Sequence, residues 1–206
     1  MARLMAKNNI YAKTKRKFKV TTDSKHNYPL SPNLVKQNFT AERQNQIWTS
    51  DITYILTLAG WLYLTVILDL FNRQIVGWSM SHRLTANTTT IPALIDAVHR
   101  QHPDSGLIFH SDRGVQYACH DFRNKLAEYN MIQSMSSTGN CYDNAVTESF
   151  FHTLKTELVH FEKYETREQA KQSIFEYIEV FYNRERLHSA LDYQTPVEYA
   201  KLKNAA

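Results

Sequence analysis

Glycine is scarce in this chain. Five occur in 206 residues, each alone, at Gly60, Gly77, Gly106, Gly114 and Gly139. Neither of the phosphate-cradling patterns GxGxxG and GxxxxGKS/T is therefore present. Cysteine is scarcer still: Cys119 and Cys141 lie 22 positions apart with no CxxC, which excludes a disulfide framework and leaves no cysteine-rich zinc motif. The longest apolar run, Trp61 to Leu68, has eight residues and includes Thr65, too few to cross a bilayer. The basic N-terminus has no apolar stretch behind it to make a secretory signal. A cytoplasmic, reduced, soluble protein is expected.

What is present suffices for a sizeable core, with 43% hydrophobic and 12% aromatic residues, and the length suits one full domain plus an appendage. The net charge is only +4, but residues 1–25 carry +7 and the remaining 181 carry −3. Lys15, Arg16 and Lys17 are the densest part of that basic arm. An arm of this kind either binds a polyanion, releasing counterions from each neutralised phosphate, or is simply a solvated terminus. Residues 22–38, TDSKHNYPLSPNLVKQN, read as a linker. The chain thus divides into an arm and linker, 1–38, and a body, 39–203.

In the body, IWTSDITYILTL, WLYLTVILDL and QIVGWSM are β-branched and aromatic runs separated by short turns, which predicts an antiparallel meander from about 47 to 80. The middle run is almost continuously apolar and is expected to be covered on both faces. Helical spacing follows over 89–101, with Leu94, Ile95 and Val98 on one face. A short strand at 107–110, a helix at 117–129 and a strand at 131–135 come next. Helices at 144–158 and 167–182 complete the order, the last with Ile174, Tyr177, Ile178 and Phe181 on its buried stripe. The order describes an α/β fold, a mixed five-stranded sheet flanked by helices. Trp48, Trp61 and Trp78 each lie in a predicted strand and read as core residues rather than base-stacking platforms.

Three acids occupy unusual places. Asp51 lies inside the first strand, where a charge needs compensation. Asp112 follows the strand LIFH directly, at the carboxyl end where open α/β sheets bind ligands. Glu148 is one turn into a helix introduced by the polar loop SSTGNCYDN. On that helix Asn144, His152 and Lys155 lie within about 40° of Glu148, whereas Val146, Phe150, Phe151, Leu154 and Leu158 fill the opposite arc. Spacing does not single these acids out, because Asp121 to Glu157 and Asp143 to Glu179 repeat the interval from Asp112 to Glu148. Placement does: Asp121 starts an exposed helix face, and Asp143 reads as an N-cap. Converging carboxylates make a hard-cation site suited to magnesium or manganese. Pairs such as His99 with His102, or His110 with Cys119 and His120, follow from having nine histidines and lack zinc-site spacing. Lys155 reads either as a site lysine or as a solvated one. Asn144 caps the helix, orients the glutamate or contacts DNA. Arg184, Arg186 and His188 either meet a helix dipole or contact a DNA backbone.

The blocks WTSDITYI, FHSDRGVQYAC and SMSSTGNCYDNAVTESFFHTLKTELV, and the tail EYIEVFYNRERLHSALDYQTPVEY, resemble the retroviral-integrase-like DDE transposases, of the type encoded by the second open reading frame of bacterial insertion sequences. The likeness covers about residues 40–200 with the blocks in order. RLMAKNNIYAKTKRKFK resembles the end of the helix-turn-helix region that precedes the core in longer members, so the chain looks N-terminally truncated. The resemblance implies an RNase H-like fold in which Asp51, Asp112 and Glu148 bind two Mg²⁺ or Mn²⁺ ions. It implies cleavage and strand transfer on double-stranded DNA, with Lys155 touching DNA near the transposon end. It also implies a homo-oligomer on paired ends, a helix-turn-helix partner protein and association with the nucleoid. An RNase H-like nuclease without joining activity, and a non-catalytic DNA-binding fragment, are the alternatives on the same residues.

Overall fold

The computed structural model of the protein describes residues 7–8, 26–137 and 141–204. The strands are β1 (Ile47–Thr57), β2 (Gly60–Asp69), β3 (Ile75–Ser81), β4 (Ile108–Ser111) and β5 (Ile132–Met135). They form one five-stranded sheet in the order β3-β2-β1-β4-β5, antiparallel across β3, β2 and β1 and parallel across β1, β4 and β5. The helices are α1 (Thr90–Gln101), α2 (Val115–Ala118), α3 (His120–Glu128), α4 (Ala145–Glu157), α5 (Arg167–Glu176) and α6 (Pro196–Asn204). The mixed sheet flanked by helices agrees with the order read from the sequence. The basic arm, with Lys15, Arg16 and Lys17, lies outside the described residues.

Alternation along the strands builds two apolar layers. Trp48, Ile52, Ile67 and Val76 face α1 and α3, where Leu94, Phe122 and Leu126 meet them. Ile55, Leu62, Leu64, Val66 and Leu68 face α4 and α5, where Phe150, Phe151, Leu154 and Ile174 meet them. The central strand β2 contributes to both, as its unbroken apolar run requires. A Cβ placed on Gly77 of β3 would stand 2.5 Å from Ala97 Cβ and 2.6 Å from the Ala93 carbonyl oxygen. Helix α1 therefore lies directly on β3, and its sheet-facing residues are the small Ala93 and Ala97 beside Leu94, with Ile95 displaced from the stripe.

Four further features depart from the sequence reading. The helix expected over 117–129 is broken at Cys119, whose extended backbone (ψ 156°) separates α2 from α3. The break lets Tyr117 run under the sheet to Ser50 while Phe122 and Leu126 keep facing the core. The helix expected over 167–182 is α-helical only to Glu176 and π-helical from Tyr177 to Tyr182. Its i→i+5 period brings Tyr182 inward after Tyr177 and leaves Phe181 40% exposed. Trp48 is fully buried, but Trp61 is 45% exposed at the hairpin end of β2 and Trp78 is only half-buried. Finally, α6 had no counterpart in the sequence reading. Its signal is the capping box at Thr195, whose hydroxyl accepts the Glu198 N–H while Glu198 accepts the Thr195 N–H, with Pro196 at the first helical position.

Residues 26–46 form no regular element, yet those leading into the body are fastened to it. Tyr28 packs among the residues under α3, and Val35 is 4% exposed. Leu34 N–H donates to Ser134 Oγ (2.9 Å) and Ser31 Oγ donates to Gln133 Oε1 (2.8 Å), so the segment straps β5. Truncating Trp48 to alanine should cost about 3–5 kcal/mol in denaturant unfolding. The same change at Trp61 should cost less than about 1 kcal/mol, because nearly half of that ring already meets water. Equal losses in the two variants would contradict the burial difference.

Candidate active site

The register of β1 against β4 places two of the three acids. Ser50 and Ser111 are the last paired residues of those parallel strands, and Asp51 and Asp112 follow them directly. Neighbouring strands lie about 4.8 Å apart, so the two aspartates stand side by side, Asp51 within β1 and Asp112 just past the end of β4. Beyond Ser111, β4 has ended while β1 continues to Thr57. The edge of β1 past Ser50 is therefore left without a β4 partner. Ser50 faces the α1 and α3 side, donating to the Val66 carbonyl and meeting Tyr117 Oη at 2.8 Å. By alternation Asp51 faces the opposite side, that of α4.

Three polar contacts set α4 against this point. Thr147 Oγ1 donates to Thr49 Oγ1 at 2.9 Å, both fully buried. Asn144 Nδ2 donates to the Ser50 carbonyl at 3.3 Å. His110 Nε2 donates to the Asp143 carbonyl at 2.9 Å while Nδ1 faces Ser134 Oγ at 2.8 Å. A carbonyl only accepts, so the proton sits on Nε2 and Ser134 donates to Nδ1. Burial lowers the His110 pKa, which suits this neutral tautomer. Glu148 is the next residue after Thr147, exposed to solvent, and Lys155 is half-buried two turns further along the same stripe.

These placements bear on readings left open above. Asn144 makes no side-chain cap for α4; it grips β1. Asp143 is not an N-cap either. Its carboxylate accepts from Ser137 N (2.7 Å), Asn33 Nδ2 (2.9 Å) and Gln37 Nε2 (3.1 Å), joining the strap to the loop before α4. Thr49, Ser50, Thr147 and His110 escaped the sequence reading as positioning residues, although polar groups at inward strand positions were a usable signal.

Asp112 is held by an Asx turn, its Oδ1 accepting the Gly114 N–H at 2.9 Å. A Cβ on Gly114 would stand 3.0 Å from that same oxygen. His26, where the strap begins, reaches the Arg113 carbonyl through Nε2 at 2.7 Å, and its charge favours ionised Asp112.

The electrostatics follow from this crowding. Burial, then the charge of Asp112, and then that of Glu148 push Asp51 well above the usual carboxylate range, against a hydrogen bond from Ile52 N–H and the charge of Lys155. Asp112 is raised by burial, and Glu148, an exposed residue whose carboxyl is partly desolvated, is raised by that desolvation and then by the charge of Asp112. Lys155 is lowered by burial, with Asp51 opposing. Among the described residues, no three His, Cys, Asp or Glu side chains are set closely enough to enclose a metal ion. The donor chemistry nevertheless fits a hard divalent cation: mutually repelling carboxylates are raised on balance despite Lys155 and His26, and Asn144 Oδ1 is a buried oxygen without a partner among the described residues.

A raised carboxyl pKa means that the folded chain binds more protons than the unfolded one, so the stability present below about pH 4 is lost as pH rises through the folded-state value. Metal-free Asp51→Asn should therefore melt at a higher temperature than wild type at pH 7, with the gap narrowing toward pH 4. Melting curves that differ by the same amount from pH 4 to 8 would rule out an ionisation penalty at Asp51.

Two integrase core domain family models match the chain, over residues 41–141 and 148–203. It is 45% identical over 199 residues to an uncharacterized 31 kDa protein of insertion element IS600 from Shigella sonnei, covering 97% of this chain and 73% of that one. It is 43% identical over 206 residues to the transposase InsF of insertion sequence IS3A from Escherichia coli strain K12, covering 100% of this chain and 71% of that one. The HTLV-2 integrase catalytic core domain, solved in complex with magnesium in a trimeric form, superposes with a TM-score of 0.58 at 16% identity, over 78% of this chain and 99% of that one. That likeness, together with the five-stranded mixed sheet, identifies an RNase H-like fold. With matched segments spanning the strands that carry the aspartates and the helix that carries the glutamate, the chain belongs to the insertion-sequence transposases built on an integrase core domain.

Proposed function

We propose that this chain is a transposase catalytic core that cleaves double-stranded DNA at insertion-sequence ends and transfers the strands, using divalent metal ions. The observation that carries the reading is the juxtaposition of Asp51, inside β1, and Asp112, just past the end of β4, at the last paired rung of those parallel strands, with Glu148 tied to the same point through Thr147 and Thr49. Asp51, Asp112 and Glu148 would hold two Mg²⁺ or Mn²⁺ ions, which when bound activate the attacking oxygen and stabilise the leaving oxygen of an in-line displacement at phosphorus.

The chain's own residues prepare that chemistry. The Ile52 and Gly114 amides fix one oxygen of Asp51 and of Asp112, leaving the other oxygen of each for a ligand. Lys155 supplies a positive charge that meets a DNA phosphate once metal has neutralised the carboxylates. The reading includes a body at 39–203 that performs catalysis, a basic arm within 1–38 that grips DNA through Lys15, Arg16 and Lys17, and several copies assembled on paired ends with a helix-turn-helix partner. No helix among the described residues is long and apolar enough to cross a membrane.

Asp51→Asn, Asp112→Asn and Glu148→Gln should each reduce magnesium-dependent strand cleavage by at least about 10³-fold while leaving the circular dichroism spectrum unchanged. Pre-nicked ends presented to the wild-type chain separate joining from hydrolysis. Joined product supports strand transfer, whereas cleavage without joining would reduce the activity to that of a nuclease. Lys155→Ala should weaken DNA binding about tenfold and flatten its dependence on salt; unchanged affinity and joining would remove Lys155 from the site.

A further inference from the structure

The segment that leads into the body carries a strained turn. Lys36 and Gln37 are consecutive residues in the left-handed region, at φ 48° and 63°, and neither is a glycine. Side chains with a Cβ rarely adopt that conformation, and it persists where the surroundings impose it. Here Asn33 Oδ1 accepts the Lys36 N–H at 2.8 Å, Asn38 N–H donates to the Val35 carbonyl at 2.9 Å, and the Val35 side chain is buried in the apolar layer shared with α4. What the turn presents is a pair of carboxamides. Asn33 Nδ2 donates to one oxygen of Asp143 at 2.9 Å and Gln37 Nε2 to the other at 3.1 Å.

Asp143 is 1% exposed, and beside the two strap donors its carboxylate meets the Ser137 amide of its own loop. A buried anion deprived of donors is drawn toward water. Moving Asp143 outward breaks two further contacts, since its carbonyl accepts from His110 and the next residue, Asn144, grips β1. Both contacts fix the start of α4, and Glu148 stands five residues after Asp143. Ser31 and Leu34 hold the strap to β5 and would tether it equally well with no donor on Asp143. Tethering alone therefore does not account for the strained turn; its grip on Asp143 does.

We propose that Asn33 and Gln37 are positioning residues for the reaction: by holding the Asp143 carboxylate they fix the turn that starts α4 and, through it, the place of Glu148 beside Asp51 and Asp112. The turn at 33–37, read from the sequence as linker, is then a working part of the site. The inference rests on the strand-cleavage reading above for the consequence of the grip, not for the grip itself.

The test uses the full chain. Gln37→Glu sets two carboxylates against each other, and adding Asp143→Asn lets the new carboxamide donate to the new carboxylate while its oxygen keeps the donors Asn33 and Ser137. Asn33→Asp is harsher, because the Lys36 N–H keeps that side chain from turning away. Ser31→Ala loosens the strap at β5 without touching Asp143. Gln37→Glu and Asn33→Asp should each lower kcat for magnesium-dependent cleavage about tenfold, with KM for the duplex within about twofold of wild type. Each should also speed the exchange with water of the His110 Nε2 proton, which the Asp143 carbonyl shelters. Adding Asp143→Asn to Gln37→Glu should restore both quantities, and Ser31→Ala should leave both unchanged. Normal exchange in both charged variants overturns the grip. Faster exchange with kcat unchanged overturns the positioning of Glu148, as do losses that Asp143→Asn fails to restore or that Ser31→Ala reproduces. A wild-type chain that cleaves no DNA overturns the strand-cleavage reading, while proton exchange at His110 still decides whether the strap fixes the start of α4.

Discussion

The position of the whole candidate site depends on the polar seam between β1 and α4. A helix laid on a sheet by apolar contacts alone can slide, because leucine and phenylalanine side chains accept many similar packings at nearly the same energy. The Thr147–Thr49 hydrogen bond cannot slide: both hydroxyls are fully buried and each would be left unpaired by a shift of one residue. Asn144 on the Ser50 carbonyl and His110 on the Asp143 carbonyl fix the approach to the helix in the same way. Three directional contacts, each costly to break, thus decide where an exposed glutamate stands relative to two aspartates on neighbouring strands.

The seam extends outward. Leu34 N–H donates to Ser134 Oγ, Ser134 donates to His110 Nδ1, and His110 Nε2 donates to the start of α4. The strap, β5, β4 and α4 are joined by one line of hydrogen bonds. Asp143 closes a second loop, its carboxylate held by Asn33 and Gln37 of the strap and by Ser137. Those contacts outweigh burial and keep Asp143 below the usual carboxylate range. An acid two residues from the α4 N-terminus thus stays ionised through its own partners and takes no place beside Asp51, Asp112 and Glu148.

The sequence was legible where one physical signal dominated. Alternation and β-branching located β1, β2 and β3, and the Asp51 anomaly was visible because a charge in a strand has few innocent explanations. The misses lie where two signals compete. Phe181 and Tyr182 are both aromatic and one residue apart, so only the backbone switch from α to π decides which is buried, and that switch has no pattern of its own. Trp61 reads as core by composition, yet it falls at the hairpin end of β2, where it stays 45% exposed. On α1 the largest side chains were the natural choice for the buried face. Gly77 instead draws the helix so close that alanines must face the sheet, a constraint visible only from the other partner. The positioning residues Thr49, Ser50, Thr147 and His110 could be noticed singly, but which would meet was fixed by strand register.

The same π-helical stretch links the candidate site to the C-terminal segment. By carrying Tyr182 inward against Phe150 (ring centroids 4.7 Å apart) it braces α4 from behind. The next residue, Asn183, clamps β3 through both the N–H and the carbonyl of Ile75. From there the chain turns back through Arg186 and His188 along the flank of α4. The helix carrying Glu148 is therefore gripped by polar contacts on the β1 side and by aromatic contacts on the other. The stripe that carries Glu148 and Lys155 is left open between those two grips. A fold that spends directional contacts on locating one helix thereby fixes where its open face stands relative to Asp51 and Asp112.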